Sequence, residues 1–212
     1  MIVLVGFMGA GKTTVGNLLA ARLGLPFTDS DQVIEQRARR PVRQIFAEDG
    51  EPAFRSLEHQ VIAELLDGPP LVLALGGGAA EHPLTRVLLT RGDDLLQTPS
   101  APGGDLPPSP PSPPSLPDRP GTPPEVVYLQ VGYDQALLRV GGDAERPLLA
   151  RADLAALYQR RLPLYAAVAT LTVATDGRPA EAVAEDLLAR LVRVRPGRAP
   201  APRQPAPMPD RG

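Results

Sequence analysis

Residues 6–13, Gly6-Phe7-Met8-Gly9-Ala10-Gly11-Lys12-Thr13, fit the pattern G-x-x-x-x-G-K-[ST], a loop that cradles nucleotide phosphates. Glycines at this spacing let the backbone curl until successive N–H groups face inward onto phosphate oxygens. The loop follows an apolar run and opens a helical pattern, so Gly9, Ala10, Gly11, Thr13 and Thr14 sit at the positive end of a helix. Lys12 brings a cation to the β and γ phosphates, and Thr13 offers a hydroxyl to Mg²⁺. Composition singles out the same residue: of 22 Lys and Arg, Lys12 is the only lysine. A bias toward arginine explains the rest, but a site that needs a compact ammonium does not accept a guanidinium. Such a chain binds a nucleoside triphosphate.

The second substrate must be read from other residues. Asp29-Ser30-Asp31 places two carboxylates one residue apart. One can serve metal-bound water and the other an acceptor hydroxyl. A helix N-cap at Ser30 or Asp31 explains the same residues equally well. Arg55 falls in a helical stretch, where it can pair with Glu51 or Glu58 on the surface. Gly76-Gly77-Gly78 is harder to explain as a plain turn: three glycines cost backbone entropy, and they offer close approach of the chain to a ligand. Arg146 follows Gly141-Gly142, which suits a lid that folds an arginine over the phosphates, or else a loop with a solvated arginine. Arg160-Arg161 offers a guanidinium fork for a carboxylate, or a solvent-facing basic pair.

The elements that must position these groups alternate between strand and helix. Residues 2–5 read as a buried parallel strand and 12–23 as a helix closed by Gly24. Residues 25–27 begin the next strand, with the two aspartates on the turn beyond it. Helices follow at 30–39, 42–48 and 51–66. A strand at 71–75 ends in the glycine run, and a helix spans 83–91. Later come a strand at 126–131, helices at 133–140 and 152–167, the second interrupted by Pro163, a strand at 171–174 and a helix at 180–193. This order implies an α/β fold with a parallel sheet covered on both faces. Ligands then bind beyond the carboxyl ends of the strands.

Composition bounds the rest. The chain has 212 residues, with 27 Pro, 20 Gly and no Cys. The prolines concentrate in residues 99–124 and 196–212, leaving roughly 170 residues, enough for one domain with a proper core. The absence of cysteine excludes thiol catalysis, thiolate metal sites and disulfides. A net charge of −2 carries no basic excess for nucleic acid. The first residues are too short and uncharged for a signal segment, and no apolar stretch is long enough to span a bilayer, so the expectation is a cytoplasmic chain with no membrane partner. The stretch 92–124 includes PPSPPSPPSLP and cannot form a helix or central strand. It reads as a solvated, disordered insertion, with PxxP docking to a partner as the alternative. Residues 196–212 read as a disordered tail, and 1–195 as a single domain interrupted at about 92–124.

Taken together, GFMGAGKTT at 6–14, DSD at 29–31, FRSLE at 54–58, LGGGA at 75–79, RPLL at 146–149 and RRLPLY at 160–165 resemble shikimate kinases. The motifs occur in that family's order and cover nearly the whole foldable sequence. The resemblance implies a P-loop NTPase fold of the nucleoside-monophosphate-kinase type, with a central five-stranded parallel sheet flanked by helices, and a lid. It implies transfer of the γ-phosphate of ATP to the 3-hydroxyl of shikimate, with Mg²⁺, by a monomer. Thr13 then looks like the Mg²⁺ ligand, with Asp29 reaching the metal through water. Asp31 matches the acid that holds the shikimate hydroxyls and is a candidate base. Arg55 and Arg161 match the pair that clamps the substrate carboxylate, with Gly77 and Gly78 presenting N–H groups. Arg146 matches the lid arginine on the phosphates, and Arg139 and Arg178 the residues bordering adenine. Two arginines suit a carboxylate-bearing acceptor better than a neutral sugar. The alternatives are another P-loop kinase, such as a gluconate kinase, and a non-catalytic ATP-binding module.

Overall fold

The computed structural model of the chain describes residues 1–90, 123–141 and 153–194. The lid with Arg146, the proline-rich stretch up to residue 122 and the tail beyond 194 lie outside the described residues. Five strands, β1 Ile2–Val5, β2 Phe27–Asp29, β3 Val72–Ala74, β4 Glu125–Gln130 and β5 Leu171–Ala174, form one parallel sheet in the order β2-β3-β1-β4-β5. The order follows apolar content. β1, β3 and the middle of β4 are buried throughout and occupy the centre, where both faces are covered; β2 and β5 are partly exposed and lie at the edges. In register, Val3 pairs with Leu73 on one side and Val126 on the other.

The helices are α1 Lys12–Leu23, α2 Ser30–Ala38, α3 Val42–Glu48, α4 Gly50–Asp67, α5 Pro83–Thr90, α6 Tyr133–Val140, α7 Leu154–Val168 and α8 Ala180–Val194, with a 3-10 turn at Ala79–Glu81. α1 buries Val15, Gly16, Leu19 and Ala20 and ends at Gly24 with φ 66°, a left-handed conformation that glycine adopts without steric cost. It packs beside α8. A second, smaller core of Ile34, Ile45, Phe54 and Val61 joins α2, α3 and α4 to one another. Among the described residues no helix is long and apolar enough to cross a membrane.

Two local expectations are corrected. β2 starts at Phe27 rather than Leu25, because the Leu25 N–H is taken by Ala20 O at the end of α1. The strand therefore runs through Asp29 and straight into α2, and the two aspartates lie at a strand-to-helix junction instead of a turn. Pro163 does not interrupt α7. Its missing N–H costs one ladder bond, but the helix is held from one side by buried Leu157, Tyr158, Arg161 and Tyr165, with the Tyr158 hydroxyl donating to Val131 O and that of Tyr165 to Gly77 O.

Candidate active site

The carboxyl ends of β1, β2 and β3 lie side by side and deliver three chain segments to one cavity of about 770 Å³. The loop after β1 is the phosphate-binding motif. Gly9 and Gly11 take φ of 76° and 88°, values closed to most side chains, and α1 begins at Lys12. Lys12 Nζ donates to Gly6 O at 2.9 Å and Phe7 O at 3.2 Å, so the ammonium is held against its own loop. Ala10 is buried beneath it. Arg139, from α6, donates to Gly9 O at 3.1 Å and to the hydroxyl and carbonyl of Thr175, tying the loop to the end of β5. Thr13, Thr14 and Arg139 all line the cavity.

At the end of β2 the two aspartates have separate roles. Asp29 Oδ1 caps α2 by accepting the Asp31 N–H at 3.0 Å, and its Oδ2 accepts the Thr13 hydroxyl at 3.1 Å. The cap is therefore Asp29, and capping leaves its second oxygen for the phosphate side. Ser30 is buried and its Oγ accepts the Gly76 N–H at 3.0 Å, bracing α2 against the glycine run. Asp31 points inward, and its Oδ1 is buried without a hydrogen-bond partner. Burial, with Glu58 and Asp29 adding repulsion against the opposing pull of Lys12 and Arg55, pushes its carboxyl up to about 7.

After β3 the glycine run serves a packing purpose. A Cβ on Gly76 would lie 2.6 Å from both Asp31 Oδ1 and Glu58 Oε1, and one on Gly78 only 2.1 Å from Arg55 Nη2. Charged side chains thus crowd onto the turn at Gly76 and Gly78, whereas a Cβ on Gly77 would meet nothing closer than 3.7 Å. Arg55, on α4, donates to Glu58 at 2.6 Å and Glu51 at 3.1 Å, and lies over the rings of Phe46 and Phe54. The pairing expected of it is present, but only Glu51 lies at the surface: Glu58 is buried, and the Arg55 side chain also lines the cavity. Burial disfavours its charge, but Glu58 and Glu81 outweigh that and hold the guanidinium above its usual range. Arg161, on α7, is the buried member of its pair at 1% exposure, while the Arg160 side chain is 56% exposed. Arg161 Nη2 donates to Glu81 at 2.8 Å, and its Nε and Nη1 are buried without an acceptor.

Most of the anticipated residues therefore converge. Lys12, Thr13, Asp29, Asp31, Arg55 and Arg161 all line the one cavity, together with Gly77 and Gly78. Arg178 does not line it: that side chain donates to Asp186, Ala174 O and Ala182 O at the start of α8. Sequence reasoning anticipated the pairing of Glu58 with Arg55 but not its repulsion of Asp31, and it missed the roles of Ser30 and Glu81. Glu58 was visible three residues from Arg55, but Ser30 and Glu81 act on partners 46 and 80 residues away, which no local pattern reports.

The donor set suits a hard cation. Thr13 and Asp29 supply adjacent oxygens, and among the described residues no cluster of three or more acidic or histidine ligands exists. Mg²⁺ needs none, since it keeps several waters and takes substrate phosphates as ligands.

Comparison with known proteins agrees with this geometry. The family model for shikimate kinase matches residues 8–96 and 122–192. A shikimate kinase of Thermobifida fusca is 44% identical over 188 residues, covering 87% of this chain and 91% of that one. One from Moorella thermoacetica is 39% identical, covering 88% and 91%. The structure of shikimate kinase from Acinetobacter baumannii in complex with shikimate superposes with a TM-score of 0.73 at 34% identity, over 91% of this chain and 93% of that chain. With the motifs that fall in the described residues gathered at one cavity and its sequence matched over most of its length, the chain belongs to the shikimate kinase family.

Proposed function

We propose that this ATP-dependent kinase transfers the γ-phosphate to the 3-hydroxyl of shikimate through the residues just described. The observation that carries the reading is the meeting of unlike groups in one cavity: a phosphate loop with Lys12, and with it the buried Arg161, the half-buried Arg55 and the Asp31 carboxyl, whose Oδ1 has no partner. Arg55 and Arg161 bind the carboxylate of the acceptor, assisted by the N–H groups of Gly77 and Gly78. Asp31 accepts a hydrogen bond from the acceptor hydroxyl and takes its proton as the oxygen bonds to the γ-phosphorus and the bond to the β-phosphate oxygen breaks. Such a reaction needs positioning and charge neutralisation more than covalent chemistry.

The backbone of residues 9–14 holds the phosphates, and Lys12 leaves its loop carbonyls for the β and γ oxygens. Thr13, with Asp29 acting through water, would hold Mg²⁺, which when bound supplies charge neutralisation at those oxygens. Arg146 closes over the phosphates, and Arg139 and Arg178 border the base. We assign the chain as one kinase domain over 1–195, interrupted at about 92–124, acting as a cytoplasmic monomer without nucleic-acid or membrane partners.

ADP release from Mg-ATP tests the reading. Turnover with shikimate that is lost in Lys12→Ala supports it. Turnover with gluconate alone would refute the carboxylate clamp, and ATP binding without turnover on either acceptor would refute catalysis.

A further inference from the structure

Glu81 ends the 3-10 turn that follows the glycine run, and it is the only carboxylate among the described residues that pairs with three arginines. Its Oε2 accepts from Arg161 Nη2 at 2.8 Å and lies 3.5 Å from Arg55 Nη2, so one oxygen joins α4 to α7. Its Oε1 accepts from Arg160 at 3.1 Å on the solvent side. The carboxylate itself does not line the cavity, whereas Arg55 and Arg161 do. Each of those arginines gives one Nη2 to Glu81 and keeps buried donors with no acceptor, Nε on Arg55 and both Nε and Nη1 on Arg161. Glu81 thus ties together two guanidiniums that line the cavity without lining it itself, and both guanidiniums keep donors that no protein acceptor satisfies. Burial favours protonation of Glu81, but the Arg161 hydrogen bond and charge outweigh it and hold the carboxyl below its usual range, so the tie is ionic at neutral pH.

From this geometry we infer that Glu81 is a positioning and specificity residue for the acceptor: by holding Arg55 and Arg161 to a single point it makes two arginines from distant helices converge on one substrate carboxylate. The inference rests on the proposed role of those arginines as the carboxylate clamp. Two like charges held close together away from bulk water repel; Glu51 and Glu58 pair with Arg55 alone, and among the described residues Glu81 is the carboxylate that pairs with both Arg55 and Arg161. A carboxylate paired with both offsets that repulsion before substrate arrives, so less binding free energy goes into ordering the site. Glu81 touches no substrate atom and acts through its arginines.

Steady-state kinetics of the full-length protein with shikimate and with its methyl ester test this. Glu81→Ala is expected to raise KM for shikimate about tenfold, the scale of a lost charge-assisted hydrogen bond, while kcat falls less and KM for ATP holds. The preference for the acid over the ester is expected to shrink by a similar factor, because only the acid depends on converged arginines. Glu81→Gln, which keeps the shape and one acceptor, is expected to fall between, and it carries the test where the alanine variant fails to fold. Equal losses with acid and ester would overturn the inference in favour of a general structural role. A fall in KM would overturn it too, since the carboxylate would then be competing with substrate. Arg55→Ala and Arg161→Ala are measured in parallel. If neither raises KM for shikimate, the clamp itself is refuted and the inference goes with it; if both do and the Glu81 variants do not, the positioning role alone is refuted.

Discussion

Asp31, the proposed base, is also a residue that burdens the fold. Its carboxyl, raised from 3.8 to about 7 by burial and by its acidic neighbours, must be ionised to accept a proton. We therefore expect kcat/KM for shikimate to rise with pH and level off above about 8, a profile of the free enzyme readable by initial rates. Linkage gives the opposite sign for stability. A carboxyl whose pKa is higher folded than unfolded favours folding at and below pH 4, and that contribution is lost as pH rises through 7. Asp31→Asn stays neutral throughout and is expected to gain stability over the wild type between pH 4 and pH 8, by up to about 4 kcal/mol. Urea unfolding at both pH values would show it, alongside a loss in kcat of about 10²–10⁴. At this scale the sequence was readable where chemistry is carried by residue type and local spacing, as with Lys12 and Thr13. It was not readable where a side chain works through a distant partner: nothing near Ser30 announces that its hydroxyl holds Gly76.

Elements show the same division. Apolar runs identify β1, β3 and β4 because strands covered on both faces must be apolar along their length. The edge strand β2 has no such run, so its start depends on which N–H groups α1 has already taken, and that is a tertiary fact. Likewise Pro163 signals a break, yet buried contacts on one face of α7 outweigh one lost bond. Two glycines, one at the turn after β3 and one inside α1, give direct tests. Gly78→Ala drives a methyl into Arg55 Nη2, and we expect KM for shikimate to rise about tenfold or more with little change in KM for ATP. Gly16→Ala meets the Phe27 ring and Leu4 Cδ1; the overpacking is expected to cost about 1–3 kcal/mol, against less than about 1 kcal/mol gained in helix propensity, lowering Tm by several degrees.

For the whole molecule, the proline-rich stretch falls between α5 and β4, and the family match breaks there, between residues 96 and 122. Since every residue of the described cavity lies outside it, deletion of 99–124 is expected to leave kcat and both KM values within about twofold; changed kinetics would assign the stretch a part in the reaction. The fold class was legible from alternation alone, while strand order was not, since adjacency in the sheet is decided by crossovers rather than by sequence neighbours. That order has a consequence for how such a protein can change. β2, β3 and β1 are successive neighbours, about 4.8 Å apart, and the segments that follow them divide the work of the site. All three line the cavity, and under the proposed function the one after β1 takes the donor, the one after β3 the acceptor, and the one after β2 both. On that reading acceptor recognition resides in α4, the glycine turn and one face of α7, together with Asp31 at the start of α2, all outside β1 and α1. A new acceptor can therefore be acquired by rewriting those pieces while the phosphate loop is inherited intact, so specificity and phosphoryl-transfer capacity are separately heritable parts of one sheet.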